Sequence, residues 1–174
     1  MALRPPATLW TVGHSTHPID EFLDILHAHG ITRIADVRRF PGSRAYPHFN
    51  PEQFERSLAE SGISYTPMPA LGGRRKPRPD TPHVAWRNDS FRGYADYMDT
   101  PEFADAADAL AALAREDRVA AMCAEGVWWR CHRSMIADYF KANGWEVLHV
   151  LGTGEAKEHP YTAVARVENG RLMY

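Results

Sequence analysis

The chain of 174 residues carries 20 Lys+Arg against 22 Asp+Glu, a formal charge of −2, which excludes a uniformly basic coat for polyanions. A hydrophobic share of 44% supplies a core and excludes intrinsic disorder, and the length suits one domain, residues 1–174. No apolar run reaches the roughly 18–20 residues of a membrane span, and Met1–Pro6 lacks the apolar stretch of a signal peptide, so a cytoplasmic protein without a membrane partner is expected. In chain order, Thr8 to Gly13 predicts a strand, and Pro18 opens a helix with Phe22, Ile25 and Leu26 on one face and Gly30 at its end. Ile31 to Val37 predicts a second strand. Asn50 is placed to cap a helix from Pro51 that carries Phe54 and Leu58, and Ile63 to Thr66 follows as a short strand.

Residues 67–89 hold Pro67, Pro69, Pro77, Pro79 and Pro82 with Gly72-Gly73, which predicts a long irregular loop. From Arg74 to Arg92 it is basic, with Arg74, Arg75, Lys76, Arg78, Arg87 and Arg92 against Asp80 and Asp89, so closure over an anion is one reading and a solvated surface the other. Helices are expected over Phe91–Tyr97 and Glu102–Arg115, with Asp99, Glu102, Asp105 and Asp108 outward. Arg118 to Ala124 reads as a buried strand, Cys131 to Asn143 as a helix and Trp145 to Val150 as the last central strand. Residues 155–174 form a polar tail with a hairpin expected at Asn169-Gly170. The alternation predicts a single α/β domain with a mainly parallel, Rossmann-like sheet flanked by helices.

Ligands of open parallel sheets bind beyond the carboxyl ends of the strands, and three of those ends are polar. The first delivers His14 and Ser15, the second Asp36, Arg38 and then Arg44, and the strand ending at Ala124 delivers Glu125, Cys131, His132 and Arg133. Such clustering points to a site, and ion pairs Asp36–Arg38 or Glu125–Arg133 that merely pin loops are the plainer alternative.

Several separated segments carry a family likeness: Gly13-His14-Ser15-Thr16, Asp36-Val37-Arg38 with Pro41-Gly42-Ser43-Arg44, Leu71-Gly72-Gly73-Arg74, Phe91 through Met98, and Cys123-Ala124-Glu125 with Cys131-His132-Arg133. In that order the chain resembles the bacterial domain-of-unknown-function family number 488. The resemblance implies a single α/β domain with these segments as its hallmark and brings no reaction with it.

Read at the first turn of a helix beside Arg130 and Arg133, Cys131 would be stabilised as a thiolate and so serve as nucleophile, whereas Cys123 inside a strand reads as core. Packing alone is the bland alternative for Cys131. His14, Glu125 and His132 are the other candidate catalytic groups; Ser15, Asp36, Arg38, Arg44 and Arg133 are candidates to bind substrate. Phe40, Tyr46, Trp86 and Trp128 are available to stack a base. The expectation is an enzyme for hydrolysis or group transfer on a small anionic, phosphorylated or nucleotide-like ligand. One alternative is a metal- or cofactor-binding protein using Cys123, Cys131 and His132, although their spacing matches no closed zinc motif. Another is a nucleic-acid interaction module using the basic loop. No Gly-x-Gly-x-x-Gly and no phosphate-loop lysine motif follows the first strand, so the sequence points to no particular cofactor.

Overall fold

The computed structural model describes residues 7–174; Met1–Pro6, read above for a leader, lies outside the described residues. Six strands build the main sheet: β1 Thr8–Gly13, β2 Arg33–Asp36, β3 Ser64–Pro67, β4 Val119–Cys123, β5 Glu146–Val150 and β6 Lys157–Glu158. Their order is β3-β2-β4-β1-β5-β6, and every pairing is parallel except that of β6 with β5. This is the expected single α/β domain. β4 lies between β2 and β1, unlike the dinucleotide-binding sheet in which the first three strands are neighbours.

Helices α1 Ile19–Ala28 and α2 Pro51–Glu60 cover one face, where Phe22, Leu26, Phe54 and Leu58 pack on Val12, Ile34, Ala120 and Met122. Helices α3 Asp89–Met98, α4 Pro101–Glu116 and α5 Arg133–Ala142 cover the other, where Tyr94, Phe103, Leu110, Met135 and Phe140 pack on Leu9, Ala35, Ala121 and Val147. Successive β4 side chains point to opposite faces and both faces are covered, which is why Val-Ala-Ala-Met-Cys is apolar throughout.

Local chemistry departs from the sequence in two places. Asn50 precedes α2 without capping it, because its Oδ1 accepts the Ser43 N–H at 2.7 Å and so closes the loop after β2. α5 starts at Arg133, not Cys131: Trp128–Arg130 form a 3-10 turn, Cys131 is extended (φ −129°, ψ 151°) and His132 is the N-cap residue.

Of the expected loop over 67–89, Pro67 ends β3 and Asp89 opens α3; the stretch between is irregular apart from a 3-10 turn at Pro69–Leu71, and α3 and the residue after it hold it down. Asp96 accepts from the Arg78 N–H and the Thr81 hydroxyl, His83 pairs with Asp99 at 2.7 Å, and the Tyr94 and Tyr97 hydroxyls donate to the Leu71 and Ala70 carbonyls. Asp99 thus serves a buried histidine. Strands β7 Arg166–Glu168 and β8 Arg171–Met173 form the expected hairpin, with Asn169 (φ 52°) and Gly170 (φ 76°) in the left-handed region its tight turn requires.

The topology also positions a site. β1 and β2 send their chains to the α1/α2 face while β4, beside both, sends its chain to the α5 face, so a crevice opens around the carboxyl end of β4.

Candidate functional site

β4 ends at Cys123, level with Gly13 of β1. The loop after β4 folds back over β1: the His14 and Ser15 N–H groups donate to the Cys123 and Ala124 carbonyls, and a Cβ on Gly13 would lie 1.6 Å from the Glu125 carbonyl oxygen. Gly13 is there because the backbone of the site passes against it. The crevice is a cleft of about 240 Å³ lined by Cys123, Glu125, Cys131 and His132, by Arg38, Arg39, Arg74 and Arg130, and by Phe40 and Phe91. A larger opening of about 400 Å³ beneath the hairpin, beside His83 and Tyr174, contains neither thiol.

Both thiols are free and buried, and Cys123 Sγ donates to the Glu125 carbonyl at 3.5 Å. Burial opposes ionisation of Cys123, yet the Cys131 thiol beside it and the charge of Arg133 outweigh that and hold this thiol below its ordinary value. Cys131 moves the other way, pushed well up by the Cys123 thiol beside it and by burial. Cys131, expected at the first turn of a helix, lies outside it on extended backbone. His132 stands 3.3 Å from Cys131 Sγ through Nδ1 and 3.2 Å from the Val37 carbonyl through Nε2. Burial, aided by Arg133, pushes His132 down to about 4, so it is neutral near pH 7.

Arg133, the first residue of α5, is 1% exposed, and Nε, Nη1 and Nη2 all lack a hydrogen-bond partner among the described residues. The expected Glu125–Arg133 ion pair is absent among them, and Glu125 is exposed at the cleft. Arg38 is the opposite case. Its Nε and Nη2 grip Asp36 at 2.9 and 2.7 Å, Nη2 also donates to the Phe49 carbonyl, and Nη1 reaches the Pro41 carbonyl and His14 Nε2. The Asp36–Arg38 pair anticipated from sequence is present, further fixed by the Tyr65 hydroxyl on Asp36 at 2.6 Å.

Several candidates lie outside the cleft. His14 is buried against Phe49 with centroids 4.2 Å apart, its Nδ1 at the Ser15 carbonyl, and burial takes it down to about 4. Ser15, in the left-handed region at φ 49°, packs against Gly126 on the far side of the loop. Asp36 is sealed beneath Arg38, and Arg44 is exposed on the loop after β2. Of Phe40, Tyr46, Trp86 and Trp128, the four rings expected to stack a base, Phe40 alone lines the cleft; it is 62% exposed, with the Arg39 and Arg74 guanidinium groups 5.3 and 5.7 Å from its centroid. Among the described residues no group of three or more His, Cys, Asp or Glu is placed to hold a metal ion.

A second polar assembly, unread in the sequence, lies behind Arg133. Asp138 of α5 accepts from the Thr162 and Tyr174 hydroxyls and pairs with His159 Nε2 at 2.8 Å; His159 Nδ1 meets His149 Nε2 at 2.8 Å, and His149 Nδ1 meets the Thr11 hydroxyl. Trp128 stacks on His149 at 4.6 Å and 3°, which fixes the turn that leads into Cys131. Burial, then the charges of His159 and Arg133, takes His149 down to about 2. The signal for this assembly was present: Asp138 interrupts the apolar face of a helix and His149 interrupts an apolar strand.

The family description "Domain of unknown function DUF488" matches residues 18–140. The chain belongs to the DUF488 family. That span holds both cysteines, Glu125, His132, Arg133 and every arginine of the cleft, whereas His14, Ser15, His149, His159 and Tyr174 fall outside it. No curated protein and no solved structure matches the chain.

Proposed function

We propose that the DUF488 cleft is the active site of an enzyme that carries out hydrolysis or group transfer on a small anionic, phosphorylated or nucleotide-like substrate, with Cys123 as the nucleophile. One observation carries the reading: Arg133, whose backbone N–H lies 3.5 Å from Cys131 Sγ, is buried with no partner on any of its three side-chain nitrogens, and its charge favours the Cys123 thiolate. A buried charge left without a partner costs about 3–5 kcal/mol. A thiolate on Cys123 supplies the missing countercharge and is the reactive form.

The cleft in front suits an anion. Arg39, Arg74 and Arg130 have no carboxylate partner among the described residues, against the single carboxylate of Glu125. Their guanidinium groups hold phosphate or carboxylate, Phe40 offers a ring for a planar substrate, and Glu125 and His132 move protons. Alkylation of Cys123 by iodoacetamide, read by peptide mass spectrometry, tests the reading. Adenosine monophosphate should slow the reaction several-fold, and less so as salt rises; an unchanged rate with this nucleotide and with inorganic phosphate would overturn it.

A second reading, a nucleic-acid strand as the substrate, is favoured by a shallow groove that shares Arg39 and Arg74 with the cleft and continues along Arg75, Lys76 and Arg78. Binding of single-stranded oligonucleotide that weakens steeply with salt would support it. Binding no tighter than that of the mononucleotide would remove it.

A further inference from the structure

A mechanism with one nucleophile leaves the second thiol unused. Cys131 lines the same cleft as Cys123, so a second sulfur borders the space that any group taken up by Cys123 would enter. Cys131 also has an acceptor for its proton. His132 directs Nε2 at the Val37 carbonyl, so the neutral ring carries its proton there and presents a free Nδ1 lone pair 3.3 Å from Cys131 Sγ. The Arg133 N–H points at the same sulfur at 3.5 Å. Cys131 sits on extended backbone between a 3-10 turn and α5, so its sulfur can advance on Cys123 without unwinding a regular helix. The approach to the pair is cationic, through Arg39, Arg74 and Arg130.

We propose that Cys123 and Cys131 form a thiol–disulfide couple that reduces a small anionic disulfide, Cys123 attacking and Cys131 resolving. The proposal rests on Cys123 being the nucleophile of the cleft, and narrows the transferred group to a thiol. In the first step the Cys123 thiolate attacks one substrate sulfur, forms a mixed disulfide and expels one substrate thiolate, which takes a proton from water. In the second, Cys131 passes its proton to His132 Nδ1 and attacks Cys123 Sγ, expelling the other substrate thiolate, which takes that proton. One substrate disulfide becomes two thiols, and the protein dithiol becomes a Cys123–Cys131 disulfide, which a dithiol reductant returns to the starting state.

Glutathione disulfide, whose carboxylates suit the arginines, is the probe. Wild-type protein should release two glutathione thiols per chain, lose two hydrogens by intact mass and yield a Cys123–Cys131 cross-linked peptide. Cys131→Ser should release half as much and keep one glutathione on Cys123; Cys123→Ser should release none. Wild type that keeps glutathione on Cys123 without the cross-link, or Cys131→Ser that releases as much as wild type, would overturn the proposal. The wild-type peptide map decides the matter even where a variant fails to fold. Fast iodoacetamide labelling of Cys123 with no reaction towards glutathione disulfide would sink the couple and leave the nucleophile standing; slow labelling would sink the nucleophile itself.

Discussion

Two arginines are buried beside the end of β4, Arg38 on one side and Arg133 on the other, and they are used in opposite ways. Arg38 spends its donors on Asp36, two backbone carbonyls and His14, so its charge is cancelled where it stands. Arg133, more deeply buried, spends none. Burial alone would rank the two together; the donor accounting separates a strut that holds the loop after β2 from a buried charge without a partner among the described residues. Cys123 and Cys131 line the cleft, and the charge of Arg133 acts on both thiols.

The strut gives the largest expected effect. Asp36→Ala leaves Arg38 charged and unpaired in the interior and removes the acceptor of Tyr65, so urea unfolding should show a loss of about 3–5 kcal/mol. A loss under about 1 kcal/mol would place Arg38 with Arg133 and dissolve the contrast.

Acid should act next, through histidines held neutral. His14 and His132 lie at about 4 and His149 at about 2, all below the ordinary 6.5, so between those values the unfolded chain binds protons that the native chain refuses. Their contribution is whole above pH 6.5 and is lost as pH falls towards 4. At about 1.4 kcal/mol per depressed unit, His132 alone accounts for about 3 kcal/mol. Thermal unfolding across that range should show Tm dropping steadily as pH is lowered; a flat profile would mean that these rings are not held neutral.

Arg44 sharpens the contrast from the other end. It is exposed and has no partner among the described residues, so Arg44→Ala should change stability by less than about 0.5 kcal/mol. Nucleotide protection of Cys123 should also change less than with Arg74→Ala, whose guanidinium lines the cleft. An equal loss of protection in the two variants would extend the anion site to the loop after β2.

The fold was legible because its signals are local. Val-Ala-Ala-Met-Cys is apolar enough for a strand covered on both faces, and Asn169-Gly170 is the pair that a tight hairpin needs. The convergence of strand ends also followed from the sequence, since parallel strands deliver their carboxyl ends to one edge. Side-chain direction did not follow. Ser15 and Cys123 both lie at that edge, yet the loop after β4 folds between β1 and the cleft and shuts Ser15 and His14 out. Cys131 read as helical because the sequence cannot show that the 3-10 turn at Trp128–Arg130 delays the helix by two residues. Nor could pattern alone reveal that Arg133 faces inward, because an arginine in the first residues of a helix is ordinarily solvated.

If Arg133 sustains a thiolate on Cys123, the rate of Cys123 alkylation followed against pH must change in Arg133→Met. Methionine fills the space without the charge, so the folded variant should be as stable as wild type or more so. Its Cys123 should titrate at least about one unit higher and alkylate about tenfold more slowly near neutral pH. A folded Arg133→Met protein whose Cys123 alkylates with the wild-type pH profile would contradict the account.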